Sequence, residues 1–82
     1  EQDGEDEPAR ERTAAAAQRV GLIEDRLGRK DEAAAALRLA CRLYARLGEE
    51  HPTKPAYRAS LAACRNGLAA ALAALGRKAE AE

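Results

Sequence analysis

Two stretches decide how this chain is read: Leu27-Gly28-Arg29-Lys30-Asp31-Glu32-Ala33 and Leu75-Gly76-Arg77-Lys78-Ala79-Glu80-Ala81. They agree at six of seven positions and lie 48 residues apart. At the same offset Arg10 falls on Arg58, Ala14 on Ala62, Ala15 on Ala63, Val20 on Leu68 and Gly21 on Ala69. The chain is therefore read as an incomplete pair of helix–turn–helix units. Each repeated residue has a physical use. Leu27 and Leu75 close the first helix of a unit against its partner. Gly28 and Gly76 supply the left-handed conformation that lets the chain turn. The following glutamate and alanine open the next helix, with the acid at its positive end and the small residue at the contact.

Working outward, apolar spacing predicts the helices. The first runs from Pro8 to Leu27, with a stripe of Ala16, Val20, Ile23 and Leu27. The second starts near Asp31 and carries Ala33, Leu37, Ala40, Tyr44 and Leu47, a small–large–small row. A further row of Ala36, Leu39 and Leu43 widens its apolar side, which predicts contact with two neighbours. Gly48 weakens this helix and Pro52 ends it. The third runs from Pro55 or Ala56 to Leu75, with a stripe of Tyr57, Leu61, Cys64, Leu68, Leu72 and Leu75. Gly76 closes it, and a fourth helix begins near Ala79. Antiparallel pairing sets Leu37 against Leu68, Cys41 against Cys64, Tyr44 against Leu61 and Gly21 against Leu37. Residues 1–7 hold five acids and no apolar side chain, and read as a disordered tail. The expected units are 8–52 and 53–82, the second truncated.

Alanine occupies 22 of the 82 positions, while Leu, Ile, Val and Phe together occupy 12. That composition favours close-packed helices with a thin core and excludes a large buried catalytic cavity and an all-β fold. So small a chain leaves much surface exposed, which predicts marginal stability and help from neighbouring chain or a partner. The formal net charge is zero, which argues against nucleic acid. Eleven arginines against three lysines fit the codon bias of a GC-rich genome. The longest uncharged run, Asn66–Gly76, is too short to cross a bilayer, and no secretory or transit pattern is visible, so a cytoplasmic location without membrane insertion is expected. The chain starts at Glu1, which reads as a segment cut from a longer protein, with processing or tag removal as alternatives.

Pro55-Ala56-Tyr57-Arg58, Leu61-Ala62, Asn66-Gly67-Leu68-Ala69, Leu72 and Leu75-Gly76-Arg77 with Glu80-Ala81 resemble a tetratricopeptide repeat. The similarity covers residues 10–82 and is to the long-helix variety of kinesin light chains and large bacterial proteins, some of which carry serine/threonine kinase domains. The period of 48 is longer than the usual 34 or 42 of the family, and Glu24 stands where the third helix has Leu72. The resemblance implies an all-α solenoid of antiparallel hairpins whose concave face binds a protein or peptide, with no catalysis and no cofactor. Gly21, Leu27, Gly28, Ala33, Leu37, Ala40, Leu68, Ala69, Leu75, Gly76 and Ala81 are its expected structural positions.

Arg19, Arg26, Arg58, Arg65 and Asn66, on the first helices of the two units, are the candidate partner-binding residues. Arg38, Arg42 and Arg46 form a second row, as do Arg12, Arg19 and Arg26. Such rows could hold an acidic peptide through bidentate pairing, or simply be solvated outer faces. Cys41 and Cys64 read first as small core residues, with a redox-sensitive disulfide as the alternative and a metal site a weaker one, since His51 is the lone histidine. Tyr44 and Tyr57 read as half-buried core, and His51 as a helix-end residue. No nucleophile, phosphate-loop or metalloprotease motif is present. The function expected is non-catalytic protein–protein interaction or scaffolding; the alternative is a small bundle that self-associates through exposed repeat faces.

Overall fold

The computed structural model describes residues 7–81, with side chains described through Gly76. These residues form α1 (Glu7–Arg26), α2 (Lys30–Glu50) and α3 (Pro55–Ala81), with no strand among them. Of the expected disordered tail, residues 1–7, the first six lie outside the described residues, and Glu7 is instead the first residue of α1. Short turns force α1, α2 and α3 to run antiparallel in succession. α2 packs along both neighbours, and α1 and α3 barely meet.

The α1–α2 turn follows from Gly28. Its φ of 81° is a conformation that only glycine adopts without strain. The Arg29 amide donates to the Glu24 carbonyl at 2.9 Å and the Gly28 amide to the Asp25 carbonyl at 3.1 Å. This crossed pair is a Schellman cap, which satisfies two end-of-helix carbonyls. An apolar contact usually accompanies such a cap; here an Arg29–Glu24 ion pair at 3.5 Å takes its place. Lys30 pairs with Asp25 across the same turn. Asp31 sits in the first turn of α2 and Arg29 precedes it, without a side-chain cap.

The second glycine behaves differently. Gly76 does not end a helix: α3 runs through it to Ala81, and the expected fourth helix is absent from the described residues. Three sequence differences explain this. Glu24 and Asp25, which staple the first turn, become Leu72 and Ala73. Asp31, a poor helix former and good starter, becomes Ala79, the best helix former. The continuing residues Arg77, Lys78, Glu80 and Ala81 all favour helix, and a single glycine costs only about 1 kcal/mol within one.

The core is a small-residue seam around α2. Ala33, Leu37, Ala40, Tyr44 and Leu47, the predicted row, are all buried. On α1 the predicted stripe is turned the other way. Ala14, Ala17 and Gly21 are buried, while Val20, Ile23 and Leu27 are 48%, 47% and 60% exposed, and Ala16 is exposed too. Leu27 therefore does not close α1 against its partner. The reason is Leu37: a Cβ on Gly21 would lie 2.6 Å from its Cγ. α2 already brings the large side chains, so α1 answers with its small face. On α3, Tyr57, Cys64 and Ala71 are buried, with Leu61, Leu68 and Leu75 partly so; Leu72, expected in the stripe, is exposed, as is Ala69, an expected structural position. The side chain of Ala81 lies outside the described residues.

The register predicted between α2 and α3 holds to within one position, with Leu37 against Gly67 where Leu68 was expected. Leu37 Cδ1 lies 3.3 Å from a Cβ built on Gly67, Cys41 lies beside Cys64, and Tyr44 sits against Ser60, one position from the expected Leu61.

Candidate functional site

Two polar features stand apart from this core. The first is at the end where α1 starts and the α2–α3 turn lies. Glu7 accepts hydrogen bonds from the Lys54 ammonium and the Tyr57 hydroxyl, and its other oxygen is 3.7 Å from His51 Nε2. Arg10 pairs with Glu50 at 2.8 Å. His51 closes α2, its backbone N–H donating to the Leu47 carbonyl, and its ring is tilted against Tyr57. Hydrogen bonds from Lys54 and Tyr57 hold the Glu7 carboxyl below its ordinary range. The same bond, with burial, pushes the Tyr57 hydroxyl well above its ordinary value. This cluster joins the beginning of the chain to its middle and is structural in character. Tyr57 and Tyr44 are almost wholly buried, more than the half-burial expected.

The second feature is a shallow surface on α2 and α3. One depression of about 300 Å³ is lined by Ala45, Gly48, Glu49, Pro52, Arg58, Leu61 and Arg65. An adjoining one of about 320 Å³ is lined by Arg42, Leu43, Ala45, Arg46 and Glu49. They share Ala45 and Glu49, so four arginines surround a strip of Leu43, Ala45 and Leu61 with one carboxylate in it. Helix period explains the assembly: Arg42 and Arg46 are four apart on α2, and Arg58 and Arg65 seven apart on α3, so each pair shares a face.

This surface sorts the candidate residues. Arg58 and Arg65 come together; Arg19, Arg26 and Asn66 are exposed but line neither depression. Arg42 and Arg46 belong to the row Arg38, Arg42 and Arg46 on α2. Their meeting with α3 follows from the pairing register, which could have been combined with that row in the sequence. Glu49 and the gap left by Gly48 carried no signal.

The cysteines are free, Cys64 buried and Cys41 partly so. Burial first, and neighbouring Cys41 second, push the Cys64 thiol up to about 11, the opposite of an activated nucleophile. Among the described residues no group of three His, Cys, Asp or Glu side chains could hold a metal ion. By length and composition alone, Pro55–Gly76 is apolar enough to cross a membrane, with a mean hydropathy of 1.2; Arg65 stands at its middle. No family model, curated protein or solved structure matches the chain.

Proposed function

We propose that this chain is a non-catalytic interaction module of tetratricopeptide-like hairpins, belonging to a longer array in a cytoplasmic bacterial protein, and that it binds an acidic protein segment. The observation that carries the reading is the joint surface of Arg42, Arg46, Arg58 and Arg65 around Leu43 and Leu61. Arginine forks pair bidentately with carboxylates, and the apolar strip between them suits one or two aliphatic side chains. The 48-residue recurrence and the alternating antiparallel helices support the repeat assignment. A membrane role is disfavoured by Arg65, since an arginine at the bilayer centre costs about 2.5–3.5 kcal/mol on insertion scales. Zero net charge disfavours nucleic acid.

Chemical-shift titration with a short Glu/Leu peptide tests this. Shifts should gather on residues 42–49 and 58–65, vanish for the Gln/Leu version of the peptide, and weaken with salt. An Arg58→Ala, Arg65→Ala variant should retain its fold and lose most of the binding. Indifference to the peptide's charge, or shifts elsewhere, would remove this surface from the reading. A second reading, self-association, is favoured by the exposed Val20, Leu22, Ile23 and Leu27; light scattering that gives a dimer through α1 would select it.

A further inference from the structure

α1 and α3 are equivalent by the 48-residue offset, yet they bury opposite faces. The positions of α1 that bury on α2, Ala14, Ala17 and Gly21, correspond to Ala62, Arg65 and Ala69 of α3, all exposed. The positions of α3 that bury on α2, Cys64 and Ala71, correspond to Ala16 and Ile23 of α1, both exposed; partly buried Leu68 and Leu75 correspond to exposed Val20 and Leu27. Of the exposed apolar side chains of α1, Ala16, Val20, Ile23 and Leu27 thus occupy positions that α2 covers on α3, while Leu22 falls on exposed Ala70 and Arg19 on Gly67, the position that receives Leu37. Those four are not scattered surface residues.

We infer that the Ala16–Val20–Ile23–Leu27 face of α1 is a docking surface for an amphipathic helix of the α2 kind, one with the row Ala33-Leu37-Ala40-Tyr44-Leu47, joined to α1 by a turn like 51–54. The proposal rests on the repeat reading above for the kind of helix, and not on the arginine surface. The α2–α3 contact supplies the geometry: transferring its register places the first turn of such a helix, with Asp31 and Glu32, beside Arg26. α3 has Ala74 at the position of Arg26, so α1 carries a charge partner there that α3 lacks. The opposite face of α3 is a poorer counterpart: there Arg65 replaces Ala17, and Ala69 stands at the place of Gly21, where a Cβ would lie 2.6 Å from Leu37, whereas Arg19 of α1 stands at the place of Gly67, where it would lie 3.3 Å away.

The test is an extended chain in which residues 30–54 are placed directly before Glu7. By the 48-residue offset this junction repeats Lys54–Pro55. An Ile23→Cys substitution reports coverage by its rate of thiol labelling, read at that site by mass spectrometry. The extended chain should label about tenfold or more slowly than the parent, as a covered site does. An extension whose own copy carries L37K and L47K should label at the parent rate. Equal rates for the parent and for a helical, monomeric extended chain would overturn the proposal. So would protection in the parent that grows with its concentration, since a second copy would then be the occupant. A V20K, L27K pair should leave the parent's melting temperature unchanged and abolish protection in the extended chain; a large fall in the parent would show that the stripe belongs to its own core. Failure of the acidic-peptide titration leaves these outcomes untouched.

Discussion

The contact that sets the spacing of all three helices is one leucine between two glycines. Leu37 is 1% exposed, and an added Cβ would meet it from Gly21 at 2.6 Å and from Gly67 at 3.3 Å. It cannot retreat from one helix without pressing on the other. Gly21→Ala should therefore destabilise despite gaining about 1 kcal/mol of helix propensity. Overpacking costs about 1–3 kcal/mol, so urea unfolding should show a net loss of about 1 kcal/mol. Leu37→Ala should cost about 2–5 kcal/mol. In the Leu37→Ala background, Gly21→Ala should turn neutral or stabilising, because the atom it strikes is gone. Additive losses in that double-mutant cycle would show that the leucine is not what Gly21 accommodates. A thiol reagent at pH 8 offers a check on the same seam. Cys64, buried and raised to about 11, should react only as the protein unfolds, and Cys41, partly exposed, sooner.

At the scale of elements, two glycines in nearly identical surroundings do opposite things. Gly28→Ala should cost about 1–2 kcal/mol, the penalty for a side chain in the left-handed region, since φ is 81°. Gly76→Ala should stabilise by about 1 kcal/mol, because Gly76 is within α3 with nothing near its missing Cβ. Thermal melts of the two variants should shift in opposite directions; a fall at Gly76 would return that residue to a turn. Heptapeptide likeness thus located both candidate turns but could not weigh them, because the deciding residues, Glu24, Asp25 and Asp31, lie at or outside its varied positions. The α2 row was legible because its large and small residues alternate on one face. The α1 face was not: periodicity marks the largest apolar side chains, whereas packing against Leu37 selects the smallest. The same limit hid the arginine surface, whose halves sit on different helices and join only through the register between them.

At the scale of the whole molecule, α2 holds both neighbours, and α1 and α3 are tied to one another chiefly at the end where Glu7 sits. Glu7 reaches Lys54 and Tyr57, 47 and 50 residues away, so it ties the start of α1 to the start of α3 across the whole of α2. Its folded carboxyl titrates below the ordinary 4.5 because both donors favour the anion. The stabilisation is therefore fully present above the unfolded value and is lost as pH falls below 4.5 through the folded one. At the alkaline limb the order is reversed. Tyr57 is raised above its ordinary 10.0 by the same bond, so above pH 10 the unfolded chain ionises this tyrosine before the folded one does, and stability falls again. Both limbs share Glu7. Glu7→Gln keeps an acceptor of nearly the same shape but removes the charge, so it should lower stability at pH 7 and flatten the acid limb. Tyr57→Phe should also weaken the acid limb, since Glu7 then loses one donor and its carboxyl returns toward the ordinary range. Denaturant midpoints measured from pH 3 to 7 on the three proteins decide the matter. Parallel curves would mean that other carboxylates govern the acid limb and that the α1–α3 tie contributes little. Separation of Glu7→Gln from the parent that is full near pH 7 and narrows as pH falls below 4.5 is the outcome this geometry requires.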